Sequence, residues 1–599
     1  MTVILGIHDG HDSSAAVMVD GRIVAASQEE RFSGEKVDCG YPAKAIESCL
    51  KLAGITTADI DQVAVATANY SPVLTKLKRE TRFSVNDYII EQEEFWKPRI
   101  FDNRETSYWD VFGGREDLVS ETAYPTDDYL DYHLSENDLA SVGKIRHTAI
   151  ASLLGIDENR VQIVNHELCH IYYSYFASPI RGDALALTAD SFGDHSNGTV
   201  SRMSESGQAY LSKTDQNYLA RVYRYITLLL GMKPVHHEYK VMGLAPYANE
   251  YETAKSYEVF KDIQKVVGYD VLLDRKPPDL YFHFRDALAC HRFDGIAGAL
   301  QQWTEEILCQ WLSNCVSESG LSRVLFSGGV AQNIKACKAM AEVDSVDDFY
   351  VAPASGDTSI SIGACHYAMW KALDAAGGCE GGIAPLDEIY LGPSFSKEDT
   401  ERALREDGTQ NTYDISENVG PDQIAKLIAD GKILARCTGR MEFGMRALGN
   451  RSILADPRSP ATVDKINRAI KFRDFWMPFT PSMLDRRAAD YLVNPKGLKS
   501  PYMTMAFDST PVGGEVLAGA IHPADRTVRP QILERDRNPG YYDLIEAFER
   551  ETGVGALLNT SFNLHGHPIV LGPTEALFTL NNSELDGVII GEHLVMRRD

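Results

Sequence analysis

The stretch that decides the fold of the N-terminal half is residues 3–26, VILGIHDGHDSSAAVMVDGRIVAA. It contains three apolar runs, at Val3 to Ile7, Ala15 to Val19 and Ile23 to Ala26, and each run predicts a strand. A polar loop, His8 to Asp12, separates the first two runs. Asp20-Gly21 lies between the last two, and Asp-Gly in this position predicts a tight hairpin turn.

Similar strand units follow along the chain, and each ends in a polar or glycine-rich turn. The predicted strands are Val161 to Val164, Ala184 to Thr188, Arg323 to Phe326 and Phe349 to Ala352. Helices are predicted at His166 to Ala177, with Asn165 as cap, and at Val330 to Met340. This order places ligand groups at helix N-termini, where free N–H groups attract phosphate. Together with the opening hairpin, it is typical of the actin-like ATPase fold.

Length and charge limit the classes of protein to consider. The 599 residues are too many for one core, so two or more domains are expected. A net charge of -26 argues against nonspecific binding to nucleic acid or to an anionic membrane. No apolar run approaches the roughly 18 residues of a membrane-spanning helix. The ten cysteines form no Cys-x-x-Cys pair, which favours a reducing, cytoplasmic location.

A glycine-rich stretch with two prolines, Ala376 to Pro393, separates two unlike charge patterns. We therefore predict an N-terminal domain at residues 1–385 and a C-terminal domain at residues 395–599. No repeat of fixed period is visible in the sequence.

Two histidines lie four residues apart on one predicted helix, so their rings project from the same face. These are His166 and His170, and the carboxylates of Asp190 and Asp357 would complete a mixed nitrogen and oxygen metal site. The alternative is a pair of ordinary helical histidines.

Two glycine turns, Ser327-Gly328-Gly329 and Ser355-Gly356-Asp357, would let the backbone approach a nucleotide closely. Asn333 then follows as a donor to base or ribose, and Lys240 is placed to meet phosphate. Packing turns and a solvated lysine are the alternatives.

The segment Arg440 to Arg473 is basic although the whole chain is acidic. Arginine forks with amide and hydroxyl donors suit a small dianion such as a phosphate monoester. The donors expected to take part are Arg446, Lys471, Arg473, Arg529, Asn559 and Ser561. Surface ion pairs are the alternative.

Taken together, the motifs resemble the O-carbamoyltransferases of natural-product biosynthesis, which modify nodulation factors, cephalosporins, tobramycin, ansamycins and saxitoxin-like toxins. The resemblance spans nearly the whole chain. The motifs that carry it are Gly10-His11-Asp12-Ser13-Ser14-Ala15, Glu29-Glu30-Arg31-Phe32, His166-x-x-x-His170, Met242-Gly243-Leu244-Ala245, Phe326-Ser327-Gly328-Gly329-Val330-x-x-Asn333 and Leu558-Asn559-Thr560-Ser561-Phe562-Asn563.

The resemblance implies an α/β protein with two parts. The N-terminal domain would have the duplicated actin-like (ASKHA) fold of the threonylcarbamoyl-transferases and carry out carbamoyl transfer. The C-terminal domain would be an α+β domain like threonylcarbamoyl-adenylate synthase and form carbamoyl adenylate from carbamoyl phosphate and ATP. The final acceptor would be a hydroxyl group of a small molecule.

The resemblance also implies roles for individual residues. His11 and Lys36 match catalytic residues near the transfer site, and His166, His170, Asp190 and Asp357 match ligands of a metal ion, iron(II) in the family, with Mg²⁺ accompanying ATP. The nucleotide-binding positions are Lys240, Gly243, Gly328, Gly329 and Asn333. The carbamoyl phosphate positions are Arg446, Lys471, Arg529, Asn559 and Ser561.

The sequence departs from the family in three places. Met445 stands where the family usually has proline, Arg526 where it has glycine, and Ser33-Gly34-Glu35 where it has a more basic segment. Arg526 is expected to alter the phosphate pocket because Arg529 is close in sequence, and the third change bears on the role of Lys36.

Two other functions fit parts of the sequence. A small-molecule kinase of actin-like fold explains the N-terminal half but leaves the arginine-rich motifs without a role. A non-enzymatic assembly factor would require a stable protein partner. For the carbamoyltransferase we expect a homodimer, no nucleic acid or membrane partner, and an acceptor pocket built by residues 70–139 and 251–294.

Overall fold

The computed structural model describes residues 1–119, 122–379 and 381–598, with no account of the Gln410 side chain. The described chain forms two compact units. The N-terminal unit comprises Met1–Glu30 and Val37–Leu386, and the C-terminal unit comprises Arg31–Lys36 and Asp387–Asp599. The short segment Arg31–Lys36 therefore belongs with the C-terminal unit, which the predicted domain boundaries did not include. Glu380 of the predicted boundary stretch and residues 120 and 121 of the predicted acceptor segment lie outside the described residues.

The N-terminal unit contains two five-stranded sheets of the same topology. Their strands are β1 (Val3–His8), β2 (Ser14–Val19), β3 (Arg22–Gln28), β4 (Gln62–Ala66), β5 (Val161–Val164), β6 (Ala184–Ala189), β7 (Gly198–Ser204), β8 (Gly207–Thr214), β11 (Arg323–Ser327) and β12 (Asp348–Val351), with the hairpin β9 (Gln264–Val267) and β10 (Asp270–Leu273) apart from them.

The first sheet has the order β3-β2-β1-β4-β5 and the second the order β8-β7-β6-β11-β12. In both, the first two pairings are antiparallel and the last two are parallel. This internal duplication is the predicted actin-like fold, which is confirmed.

The opening hairpin forms as the sequence predicts. Asp20 and Gly21 have φ values of 46° and 76°, the left-handed pair that a two-residue hairpin turn requires. The predicted helix from Val330 to Met340 differs from the observed structure. A single 3-10 turn at Gly329–Gln332 comes first, and the α-helix begins only at Ile334, after Asn333 has capped it by accepting from the Ala336 N–H.

The helices connect these strands. They are α1 (Glu30–Ser33), α2 (Ala43–Ala53), α3 (Pro72–Lys76), α4 (Val85–Ile90), α5 (Lys97–Phe101), α6 (Tyr108–Phe112), α7 (Glu136–Leu154), α8 (His166–Phe176), α9 (Leu219–Leu229), α10 (Glu238–Leu244), α11 (Glu250–Phe260), α12 (Leu280–Ala287), α13 (Phe293–Ser319), α14 (Ile334–Glu342) and α15 (Ile360–Ala375).

Helices α8 and α15 pack together, and α15 also covers β1 and β4 of the first sheet. Two glycines permit this close approach. A Cβ atom on Gly6 would lie 2.0 Å from the Ser361 carbonyl oxygen, and one on Gly363 would lie 2.1 Å from that of Cys169. The two helices are therefore held at a spacing that no larger residue allows.

A buried ion pair anchors the loop after β1. Asp9 and Arg146 have side chains 1% and 0% exposed, and two parallel hydrogen bonds of 2.7 Å join them. Tyr124 donates a third hydrogen bond of 2.6 Å to the same carboxylate. Arg146 also donates to the Thr67 and Ala66 carbonyl groups, so α7, β4 and the His8–Asp12 loop share one polar contact.

The C-terminal unit is built on one mixed eight-stranded sheet of the order β13-β23-β22-β14-β15-β21-β16-β20. The strands of the unit are β13 (Tyr413–Glu417), β14 (Leu434–Cys437), β15 (Arg451–Ala455), β16 (Thr480–Leu484), β17 (Leu492–Val493), β18 (Phe507–Ser509), β19 (Thr527–Val528), β20 (Gln531–Leu533), β21 (Ala556–Ser561), β22 (Gly587–Ile590) and β23 (His593–Arg597). Its helices are α16 (Lys397–Glu406), α17 (Pro421–Ala429), α18 (Pro460–Ile466), α19 (Ala488–Tyr491), α20 (Pro511–Val516), α21 (Pro539–Thr552) and α22 (Pro573–Asn581).

Within the described part of the chain, no helix combines the length and the apolar character that crossing a bilayer requires.

The first prediction concerns the buried ion pair. We expect Arg146→Leu to lower the free energy of unfolding of the N-terminal unit by about 3–5 kcal/mol, because it leaves the Asp9 carboxylate buried without its cation. Urea unfolding of the full chain, followed by tryptophan fluorescence, measures this. Arg202→Leu removes an exposed pair with Asp183 in the same unit and serves as control. Equal stability of the two variants would contradict the structural role assigned to Arg146.

The second prediction concerns His366, which is 0% exposed on α15 and has no hydrogen-bond partner for either ring nitrogen among the described residues. Burial, helped by the charge of Arg181, lowers its pKa to about 3. Since the folded pKa lies below the unfolded value of about 6.5, protonation favours the unfolded state, and stability is lost as pH falls from about 6.5 toward 3, by about 1.4 kcal/mol per pH unit.

His366→Leu should therefore flatten the decline in unfolding midpoint between pH 6.5 and the onset of acid denaturation, whereas His147→Leu, on a partly exposed face of α7, should not. An unchanged slope in His366→Leu would show that this histidine does not contribute to acid sensitivity.

Candidate functional site

The four predicted metal ligands converge in the N-terminal unit. His166 and His170 lie on α8, which begins directly after β5, whereas Asp190 follows β6. Asp357 lies in the turn between β12 and α15. One ligand atom from each residue lies within 4.8 Å of all the others. The four side chains therefore form a single cluster, where both sheets present the carboxyl ends of parallel strands.

The distances fit one metal ion. The two Nε2 atoms of His166 and His170 are 3.1 Å apart. The Nε2 atom of His170 is 3.4 Å from Asp190 Oδ2 and 3.3 Å from Asp357 Oδ1, and the corresponding distances for His166 are 3.9 and 3.7 Å. Ligands about 2.0–2.2 Å from a common ion are roughly 3.0–3.6 Å from one another. Imidazole nitrogens with carboxylate oxygens form a donor set for divalent transition ions.

Hydroxyl groups behind the histidines orient the rings. The Nδ1 atom of His166 is 3.0 Å from Thr67 Oγ1, and that of His170 is 3.1 Å from Ser327 Oγ. A proton on Nδ1 in each ring would leave the Nε2 lone pair directed into the cluster, as metal ligation requires.

The charges in the cluster also favour a cation. Burial by itself would lower the pKa of His166, but Asp357 and Asp190 outweigh it and raise the pKa to about 10. Burial would raise the pKa of Asp357, yet His166 and His11 bring it well below its usual range. The carboxylates thus remain ionised and attract positive charge, so the residues present fit a bound divalent ion.

Asp194, which the sequence analysis did not identify, positions the helix that carries His166. Asp194 is 2% exposed and accepts hydrogen bonds from the backbone N–H groups of Ala68, Asn69 and His166 at 2.9, 2.8 and 2.7 Å. It therefore ties the start of α8 to the loop that carries Thr67. Asp194 lies in a polar loop between two strands, and no motif in the sequence distinguishes it from a solvated acidic residue.

His11 lies beside the cluster. Its Nδ1 atom is 3.6 Å from Asp357 Oδ2, and its side chain is 38% exposed. Burial would lower the pKa of His11, but Asp357 and neighbouring carboxylates raise it. The buried His8 ring contacts the same loop, with its Nε2 atom 2.8 Å from the His11 carbonyl oxygen. Burial lowers the pKa of His8 to about 4. His8 is thus a neutral support for the loop.

The predicted nucleotide-binding residues occupy different places. Gly329 donates its N–H to Asp190 Oδ2 at 2.9 Å, and Gly328 has φ of 96°, so this turn adjoins the metal cluster. Asn333 caps α14 and exchanges hydrogen bonds with Gln301, which gives its side chain a structural role. Lys240 and the buried Gly243 lie on α10.

In the C-terminal unit a small cavity of about 50 Å³ contains four of the five predicted carbamoyl phosphate residues. Its lining residues are Met445, Arg446, Ala447, Arg473, Phe479, Thr480, Met503, Arg529, Asn559, Thr560 and Ser561. Since one water needs roughly 10–15 Å³, the cavity takes a ligand of a few heavy atoms. Lys471, the fifth predicted residue, lies behind it, with Nζ 2.6 Å from Asn563 Oδ1 and 3.2 Å from Ser561 Oγ.

The cavity is strongly positive. No described residue that lines it is acidic, and the Nε atom of Arg529 is buried without a hydrogen-bond partner among the described residues. Burial, then the charges of Arg446 and Arg473, lower the pKa of Arg529. Burial, then Arg473 and Lys36, lower the pKa of Lys471. Such a cluster of buried cations is complementary to an anion.

Two residues discussed in the sequence analysis, Lys36 and Arg526, also belong to the C-terminal unit. Lys36 belongs to the segment that folds with the C-terminal unit, and its charge acts on Lys471. Arg526 donates to the Gly514 carbonyl group and does not line the cavity. Arg526 has a left-handed backbone, with φ of 59°, and the expectation that it alters the phosphate pocket stays a prediction.

Comparisons with known proteins identify the family of the chain. A family model for the carbamoyltransferase N-terminus matches residues 3–366, and one for the carbamoyltransferase C-terminus matches residues 425–597. Nodulation protein NolO from Bradyrhizobium diazoefficiens is 33% identical over 445 residues, which cover 73% of this chain and 79% of that protein. Nodulation protein NolNO from Sinorhizobium fredii is 29% identical over 607 residues, which cover 98% of this chain and 79% of that protein.

Among solved structures, component A of the (R)-2-hydroxyglutaryl-CoA dehydratase from Acidaminococcus fermentans aligns with a TM-score of 0.33 and 15% identity, covering 62% of this chain and 99% of that chain. The two family models together account for both units. The chain therefore belongs to the carbamoyltransferase family and is an enzyme that transfers a carbamoyl group.

Proposed function

We propose that this carbamoyltransferase consumes ATP and carbamoyl phosphate, forms carbamoyl adenylate in the C-terminal unit, and transfers the carbamoyl group to a hydroxyl of a small-molecule natural product in the N-terminal unit. The observation that carries this proposal is the buried pocket with three arginines and no acidic lining residue among those described. A pocket so charged suits a phosphate dianion.

The pocket also has a feature that suits the carbamoyl end of the ligand. Asn559 donates its Nδ2 hydrogens to the Ala447 carbonyl group and to Ser482 Oγ, while its buried Oδ1 has no partner among the described residues. An amide oxygen that can only accept is complementary to the NH₂ group of carbamoyl phosphate. Arg446 and Arg529 would then hold the phosphate oxygens.

The proposed chemistry has three balanced steps. Water cleaves carbamoyl phosphate to carbamate and phosphate, and a carbamate oxygen then attacks the α-phosphorus of ATP with release of pyrophosphate. Finally the acceptor hydroxyl attacks the carbonyl carbon of carbamoyl adenylate, so that AMP leaves. Enclosure matters because carbamate decomposes in water.

In the N-terminal unit, His166, His170, Asp190 and Asp357 would hold the metal ion, for which we propose iron(II). Such an ion, when bound, supplies a Lewis acid for a carbonyl or phosphate oxygen. We propose that His11 accepts the proton of the acceptor hydroxyl through Nε2 when its ring is neutral, since its Nδ1 atom lies 3.6 Å from Asp357 Oδ2. Gly328 and Gly329 offer a backbone that a nucleotide can approach closely.

No finding favours a small-molecule kinase. Such an enzyme would leave the arginine pocket of the C-terminal unit without a ligand.

The third prediction tests the pocket. With ATP and carbamoyl phosphate together, the wild-type enzyme should release pyrophosphate, and Arg446→Ala or Lys471→Ala should reduce the rate at least about 100-fold, since each removes a charge-assisted contact. A coupled pyrophosphate assay measures this. Arg458→Ala, which removes an exposed arginine paired with Asp456 in the same unit, is the matched control. Full activity in both pocket variants would count against the assignment.

The fourth prediction tests the metal site. The wild-type chain should carry about one equivalent of metal, and Asp357→Ala or His170→Ala should lose most of it, because a ligand set with one member missing binds weakly. Elemental analysis after purification under anaerobic conditions measures content and identity together. His147→Ala, a histidine on α7 outside the cluster, should keep wild-type content, and unchanged metal in both cluster variants would remove the proposed site.

A further inference from the structure

The loop that carries Arg446 is closed by a single buried carboxylate. Glu442 is 1% exposed, and its Oε1 atom accepts hydrogen bonds from the backbone N–H groups of Leu448, Asn450 and Arg451 at 2.6, 3.2 and 3.2 Å. The residues between, 443–447, are thereby drawn into a closed turn. Three N–H groups on one carboxylate oxygen make an arrangement that a charged acceptor stabilises more strongly than a neutral one.

This turn forms one wall of the anion pocket. Met445, Arg446 and Ala447 line the cavity, and glycines with positive φ, Gly444 at 102° and Gly449 at 111°, shape the turn at either side. No lining residue is Glu442 itself, so the carboxylate acts from behind the wall.

Other contacts fix the turn from outside. Arg31 donates a hydrogen bond of 2.6 Å to the Gly444 carbonyl oxygen, Asn559 donates one of 3.0 Å to that of Ala447, and the Phe443 N–H donates one of 2.8 Å to the Ile389 carbonyl oxygen. On the C-terminal side of the turn, the Gly449 N–H donates to Ser452 Oγ, and the N–H groups of Leu448, Asn450 and Arg451 donate to Glu442. The position of Arg446 in the cavity therefore depends on where the Glu442 oxygen lies.

The buried cations nearby do not replace this carboxylate. Arg451, 1% exposed, donates to the carbonyl groups of Thr438 and Leu571, and Arg436 donates to the Gly449 carbonyl group. These guanidinium groups bind carbonyl oxygens, at Thr438 and Gly449 in the same loop and at Leu571 in a distant segment, whereas Glu442 accepts from backbone N–H groups of the loop. The second oxygen, Oε2, is buried without a partner among the described residues, so an NH₂ group there would lack an acceptor.

We propose that Glu442 is a positioning residue for the anion pocket: its carboxylate fixes the 443–447 turn so that Arg446 meets the phosphate of the ligand. The inference rests on the proposed function for the identity of that ligand. Glu442 touches neither substrate nor reacting atoms, and it acts only through Arg446.

The test measures binding of inorganic phosphate to the full-length chain by titration calorimetry. Glu442→Gln removes the charge and places an NH₂ group at one oxygen, and Glu442→Asp keeps the charge but withdraws it by one methylene. Both should raise the Kd for phosphate about 10–100-fold, the usual effect of losing a group that orients a ligand-binding residue. The stoichiometry should stay near that of the wild type, and so should the metal content of the N-terminal unit.

Asp586→Asn is the matched control. Asp586 also accepts a backbone N–H, from Ile433 at 2.7 Å, but it lies at the opposite end of β14 in the same sheet. Its Kd for phosphate should remain within about twofold of the wild-type value. A variant that only misfolds would lose stoichiometry and keep its Kd, and that result in Glu442→Gln and Glu442→Asp would overturn the inference.

Arg446→Ala distinguishes failure of the Glu442 positioning role from failure of the pocket assignment. If Arg446→Ala loses phosphate affinity while both Glu442 variants keep it, the positioning role is wrong and the pocket stands. If Arg446→Ala binds phosphate as the wild type does, the pocket assignment fails, and the role of Glu442 is overturned with it.

Discussion

Two imidazoles and two carboxylates within 4.8 Å of one another are the arrangement on which the N-terminal unit depends. Two buried carboxylates this close to each other are stabilised by positive charge, which a protonated histidine or a bound cation supplies. Several contacts in the surrounding structure hold the four side chains together. Gly6 lets α15 approach β1, and Gly363 lets it approach α8. Asp194 fixes the first turn of α8, and hydroxyl groups set the ring orientations.

The cavity of the C-terminal unit has the opposite charge to the metal cluster of the N-terminal unit. Arg446, Arg473 and Arg529 surround a cavity with no acidic lining residue among those described, and burial already disfavours the charge of Arg529. The side chains of this cavity are complementary in charge to an anion, whereas the carboxylates of the N-terminal cluster are complementary to a cation.

The features predicted directly from the sequence are those that depend on residues close together in the chain. Asp20-Gly21 specifies its turn by backbone preference, and the four-residue spacing of His166 and His170 places both rings on one helical face. Asp190 and Asp357 were proposed to complete the metal site from residue type and then from family resemblance, but their distances from the histidines depend on the order of strands in the sheets, which the sequence does not specify directly. The two sheets share strand order and strand direction, but the segments that connect their strands differ in length. The duplication therefore produces no repeat of fixed period in the sequence.

Other features could not be predicted because they depend on tertiary contacts alone. Asp194 and Glu442 look like ordinary acidic residues until the N–H groups they bind are known. Asn333 caps a helix, a role that Asn favours and that the sequence analysis did not assign to it, while its predicted contact with nucleotide stays a prediction. Arg526 binds the Gly514 carbonyl group, a contact that its position three residues before Arg529 does not reveal.

The assignment of Arg31–Lys36 to the C-terminal unit has a consequence for synthesis on the ribosome. These six residues emerge early, yet the partner residues begin only at Asp387, about 350 positions later. At about 5–20 residues per second, the segment waits roughly 20–70 s for the structure that it completes. The C-terminal unit therefore folds around a peptide already displayed by the nascent chain, and a gene split between residues 386 and 387 would deprive it of Arg31.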